Sequence, residues 1–158
     1  MILGKKRRLG RKIEDITVGE KLKLTEKIED KDLLLYLGLT NDSNPLYIQH
    51  DYASRTAYEK PIVPTIMLTG IVTSAISKYL PGPGSHIVEQ HLSFPKAVYH
   101  YSTINFLLEI THVDKEKNSI NVTIEAHDEE EDIVITGSVI VIPPKVEERL
   151  TSQTMENF

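Results

Sequence analysis

The chain has 158 residues, 40% of them hydrophobic and 26% charged, a composition that suits one globular domain with a single core. It carries no cysteine, which excludes disulfides, thiol catalysis and zinc–thiolate centres. Its formal net charge of −5 disfavours a general nucleic-acid-binding surface.

Lys5, Lys6, Arg7, Arg8, Arg11 and Lys12 crowd the start of the chain. No apolar stretch follows them, so residues 1–15 read as a basic arm rather than a secretory signal. Such an arm is either solvated or in contact with an anionic ligand or partner. Lys21 to Ile28 alternates as a strand does. Glu29 and Asp30 precede Leu33 to Leu37, predicting a short helix with acids in its first turn and Gly38 at its end. Asn41 to Asn44 is loop-like, and Pro45 keeps Asn44 extended. A second short helix is expected over 51–58.

Pro61 and Pro64 bracket a turn. Ile66, Met67, Leu68, Ile71, Val72, Ala75, Ile76, Tyr79 and Leu80 then recur at helical spacing, predicting a long central helix opened by Pro64. It stops before Pro81-Gly82-Pro83-Gly84. The apolar run 62–76 is too short and too polar to span a bilayer, so no membrane partner is expected and the location predicted is cytoplasmic.

The remainder reads as β-structure. Val88, Gln90, Leu92 and Phe94 alternate with Ile87, Glu89, His91 and Ser93. Ile104, Phe106, Leu108 and Ile110 share a face, as do Ile120, Val122, Ile124 and Ala126. On the last strand Val134, Ile140 and Ile142 are the expected core face, with Ile133, Ile135, Val139 and Val141 opposite. Two apolar faces suggest cover on both sides, by helix and by a partner sheet. Asp114 to Ser119 is a predicted hairpin turn, and Asp128 to Asp132 a solvated acidic tip. Residues 145–158 form a polar tail. Helices first, then consecutive antiparallel strands, make an α+β layout with the sheet wrapped around the long helix.

Several motifs stand in order: Asp42-Ser-Asn-Pro-Leu-Tyr47, Tyr52-Ala53, Lys60-Pro-Ile-Val63, Leu80-Pro-Gly-Pro-Gly84 and Gln90-His-Leu-Ser-Phe94. Over residues 16–144 the chain thereby resembles the MaoC-like hydratases, which include the (R)-specific enoyl-CoA hydratases and have the hot-dog fold. The resemblance implies reversible addition of water across the 2,3-double bond of an acyl thioester, carried on coenzyme A or an acyl carrier protein. It also implies a dimer, with an identical or a different partner chain.

In that family an aspartate and a histidine of the first motif hold and activate a water, and a backbone N–H at the head of the central helix binds the thioester oxygen. Asp42 and Asn44 match the motif, and Tyr47 stands where its histidine does. A phenol is protonated at neutral pH, so it donates to water or thioester more readily than it takes a proton. Asp42 then becomes the base, provided that burial raises its pKa. The family's Pro-Ile-Val-His-Gly-Met is Pro61-Ile-Val-Pro-Thr-Ile66 here. Pro64 has no N–H to give, Thr65 keeps its own, and the site expected for the thioester comprises Pro64, Thr65 and Ile66.

His50 could turn back toward the pocket. His86 and His91 lie on the strand after the Pro-Gly loop, while His100, His112 and His127 read as strand ends or surface. No metal-ligand spacing and no phosphate-binding glycine motif is present, so no metal or other cofactor is expected. Three functions fit the fold: a hydratase/dehydratase with Asp42 as base, an acyl-thioester-binding protein or inactive subunit of a heterodimer, and a thioesterase.

Overall fold

A computed structural model describes residues 9–145. Lys5 to Arg8 of the basic arm and residues 146–158 of the polar tail lie outside the described residues. The elements are a short 3-10 turn at Ile13–Asp15, β1 (Lys21–Lys27), α1 (Asp30–Thr40), α2 (Pro45–Ile48), α3 (His50–Ala53), α4 (Thr65–Tyr79), β2 (His86–Ser93), β3 (Thr103–Asp114), β4 (Ser119–His127) and β5 (Ile133–Ile142). The strands form one five-stranded antiparallel sheet in the order β1-β3-β4-β5-β2. Among the described residues no helix is long and apolar enough to cross a membrane.

The helical period of α4 turns Leu68, Val72, Ala75 and Ile76 into the sheet, and all four are buried. They meet the inward rows expected on β3 (Ile104, Phe106, Leu108, Ile110) and β4 (Ile120, Val122, Ile124, Ala126), which are fully buried or nearly so. Each such side chain contributes roughly 1.5–3 kcal/mol by leaving water.

On β5 the expected faces exchange. Ile135, Val139 and Val141 pair with Ala126, Val122 and Ile120 and are the core row. Ile140 and Ile142 are only half-buried. The pairing slips between Ala126 and His127, and beyond that slip Val134 is buried as well. A second slip, between Ile87 and Glu89 on β2, breaks the alternation there: Val88 is exposed, while Ile87 and Leu92 are half-buried against the core.

Helix α1 does not end at Gly38. It continues to Thr40, and Asn41 caps it in the left-handed region at φ 54°, its N–H bonded to the Leu37 carbonyl at 2.8 Å. Asparagine tolerates that conformation well enough to close a helix in place of glycine. The helix expected over 51–58 is shorter and earlier, at His50–Ala53. Residues 10–16 are attached to the body: Gly10 N–H donates to Pro83 O at 2.7 Å, and Ile13 and Ile16 are buried.

The acidic run is not a free tip. Lys96 Nζ reaches Asp128 (2.7 Å), Asp132 (2.7 Å) and Glu130 (3.1 Å), while Glu129 accepts from Thr103 N–H. The carboxylates of Asp128 and then Asp132 hold that ammonium above the ordinary lysine range. Asp128, Glu130 and Asp132 converge closely enough to hold a cation, and the Lys96 ammonium is the one bonded to all three.

Candidate active site

The extension of α1 to Thr40 builds the site. The reversal at Asn41 folds the chain back so that Tyr36, on the last turns of α1, meets Asp42. Tyr36 Oη donates to Asp42 Oδ2 at 2.6 Å, and Asn44 N–H donates to Asp42 Oδ1 at 3.0 Å. Thr40 Oγ1 bridges the corner, donating to Tyr36 O at 2.8 Å and accepting from Asp42 N–H at 3.3 Å. Both carboxylate oxygens of Asp42 are therefore engaged.

These bonds reverse an expectation. Two hydrogen bonds outweigh the upward push of burial on the Asp42 pKa. The Tyr36 hydroxyl, and next the Asn44 N–H, hold the half-exposed carboxyl below the ordinary aspartate range. The same bond, followed by burial, raises the Tyr36 phenol, and the Asp42 charge and nearby Tyr47 add to it. Tyr36 is the site residue that sequence reasoning missed, because among leucines it reads only as part of an apolar run. The signal was its position, six residues before the motif aspartate.

Asn44 acts locally as the cap of α2. Its Oδ1 accepts from Leu46 N–H at 3.0 Å, and Pro45 opens the helix. Tyr47, in the same turn, is half-buried. Segment 61–63 then ties α2 to the rest of the site. Ile62 N–H donates to Leu46 O at 3.2 Å, and Val63 N–H to Val98 O at 2.7 Å. Ile62 also pairs with Tyr99. Buried Pro64 caps α4, while Thr65 and Ile66 are exposed in its first turn. Their N–H groups have no carbonyl to meet within the helix.

Tyr47 lines a cavity of about 510 Å³ with His50 and His100, between α1, the segment from α2 to Pro61, and the turn Tyr99–Tyr101. Asp42, Asn44, Thr65 and Ile66 are not on its wall. A second groove, of about 440 Å³, runs between β1, α1 and α4 past Leu24, Leu35, Met67 and Ile71, and carries none of the expected site residues. His100, expected at a strand end or the surface, is instead in a turn with its ring nitrogens buried.

Tyr36→Phe should leave the fold intact and let the Asp42 pKa rise toward its ordinary value. With Asp42 as the expected base, active as its carboxylate, the acid limb of the pH–rate profile should move to higher pH. A misplaced carboxylate should also lower kcat on the order of tenfold or more. An unchanged acid limb would detach Tyr36 from the site.

The MaoC like domain family model matches residues 14–131. The chain is 31% identical over 107 residues to an (R)-specific enoyl-CoA hydratase of Rhodospirillum rubrum, covering 68% of this chain and 74% of that one. It is 27% identical over 137 residues to a 3-hydroxybutyryl-CoA dehydratase of Methylorubrum extorquens, covering 85% of each. The solved (R)-hydratase of Aeromonas caviae, involved in PHA biosynthesis, superposes with a TM-score of 0.78 at 27% identity, over 83% of this chain and 99% of that one. With the helix-backed antiparallel sheet of the hot-dog fold and matched by the family model over most of its length, the chain belongs to the MaoC-like domain family.

Proposed function

We propose that the protein is a hydratase/dehydratase of acyl thioesters, carried on coenzyme A or an acyl carrier protein. The observation that carries this reading is the Asp42 carboxylate, gripped by Tyr36 and Asn44 on a loop that Ile62 joins to the entrance of α4. Asp42 takes a proton from water as the water oxygen bonds to C3 of the enoyl group. Electron density moves onto the thioester oxygen, and C2 then receives a proton, so that one water is added in all. Thr65 and Ile66 N–H, at the positive end of α4, are preformed donors for that oxygen, and Pro64 sets the entry of the helix. Tyr47 donates a hydrogen bond from its phenol.

The two engaged oxygens of Asp42 favour a second reading, acyl-thioester binding without turnover, because a carboxylate already hydrogen-bonded twice is a weaker base. Crotonyl-CoA separates the two. Loss of enoyl absorbance at micromolar enzyme is the expected result. Binding with no change in absorbance would establish the second reading, and release of free thiol would make the protein a thioesterase.

A homodimer in the cytoplasm is part of the proposal, with a heterodimer as the alternative. The two sheet edges differ: β1 carries Lys21, Lys23 and Lys27, a charged edge that resists pairing, whereas β2 has no lysine or arginine and exposes Val88. A second copy is therefore placed along β2. A monomer mass in sedimentation equilibrium would remove that placement.

A further inference from the structure

Tyr47 stands where the family resemblance implies a histidine, yet the cavity beside Tyr47 is lined by half-buried His100, whose two ring nitrogens are both buried. Neither Nδ1 nor Nε2 of His100 has a hydrogen-bond partner among the described residues. Buried polar groups of this kind are rare and call for a ligand or a water. Burial holds the ring below the ordinary histidine range. The charge of Asp30 and the Ile62 backbone pull the other way, the latter without forming a hydrogen bond of ordinary geometry, and His50 adds to the depression. A neutral imidazole offers one donor and one acceptor.

The turn that presents His100 is fastened on every side. Ser102 N–H donates to Tyr99 O at 3.2 Å, Tyr101 N–H to Ile28 O at 2.6 Å, and Tyr99 Oη to Tyr58 O at 2.7 Å. Tyr101 Oη donates to Asp30, and Tyr101 itself sits in the left-handed region at φ 67°. A bulky residue is held in that region only where its surroundings over-determine it, and such positions cluster at functional sites. Two other polar groups on the wall are engaged, Asp30 by Tyr101 and Lys60 over the Tyr99 ring at 4.7 Å, while Tyr47 and His50 line the cavity together with His100. Apolar side chains, including Leu33, Leu37 and Ile48, make up much of the remainder.

We propose that His100 is the ligand-binding imidazole of this site, hydrogen-bonding the oxygen at C3 of the acyl chain: the 3-hydroxyl of a hydroxyacyl thioester, or the water that becomes it. The cavity of about 510 Å³ then takes a short acyl chain, with its apolar walls around the carbons and His100 on the oxygen. The assignment rests on the acyl-thioester reading above, but its test does not require turnover.

Calorimetry with 3-hydroxybutyryl-CoA, each enantiomer in turn, and with butyryl-CoA should show one hydroxy ester binding roughly tenfold tighter than the saturated ester. In His100→Phe, which fills the ring's place without its nitrogens, the two esters should bind alike. Nitrogen-15 histidine spectra of the wild-type protein provide a measurement independent of the variant's folding. The His100 ring signals should shift with the hydroxy ester and not with butyryl-CoA. No preference in the wild type, a preference that survives in a folded His100→Phe, or a silent His100 spectrum would each overturn the assignment. No turnover of crotonyl-CoA with the preference intact would instead overturn the hydratase reading and leave His100 in place.

Discussion

Asp42→Asn should lower kcat for crotonyl-CoA hydration by roughly 10²–10⁴-fold, the range expected when a positioned general base is removed. KM should change little, because the amide keeps the size of the carboxylate and an oxygen for Asn44 N–H or Tyr36 Oη. The variant should also melt within a few degrees of the wild type, since Asp42 is half-exposed and outside the hydrophobic core. Steady-state rates from enoyl absorbance, together with a thermal melt, check both halves. Activity within threefold of wild type would mean that Asp42 only closes the corner after α1 and that the base is elsewhere. The expected loss exceeds that of Tyr36→Phe because one substitution deletes the proton acceptor and the other only loosens it.

The contrast between Asp42 and Tyr36 shows where the sequence was legible. Asp42-Ser-Asn-Pro-Leu-Tyr47 pointed to the proposed site because its residue types are chemically distinctive at a fixed spacing. The core rows of β3 and β4 were equally plain, since strict alternation leaves one assignment of faces. Tyr36 was hidden by geometry. Its meeting with Asp42 depends on α1 passing through Gly38 and reversing at Asn41, a choice between two adequate caps that local propensity does not decide. The core face of β5 was hidden by register, because a pairing slip changes which side chains point inward and no local pattern announces it. His100 was hidden by burial. A histidine between two tyrosines reads as a polar strand end until the turn is seen folded against α1 and segment 61–63.

Gly137→Ala should destabilise the fold by about 3 kcal/mol or more, as an overpacked site with no room to relax does. That corresponds to a melting-temperature loss of roughly 10 °C for a domain of this size. Gly137 lies on the core-facing row of β5, opposite Ile124 on one side and Leu92 on the other. A Cβ there would stand 2.0 Å from His91 O and 2.9 Å from Leu92 Cα. Both are backbone atoms of β2, so no rotamer change relieves the clash and the strand itself must move. Its displacement would open the ladder from Gln90 to Ser93 and shift the very edge proposed to meet a second copy. Gly38→Ala is the internal comparison. Gly38 is inside α1 with nothing within 4 Å of the added carbon, so alanine there should stabilise by roughly 0.5–1 kcal/mol. Equal effects at the two positions would show that β2 is free to retreat from β5. The expected opposite signs would show that the close approach at Gly137 holds the edge strand, and with it the dimer surface, in register.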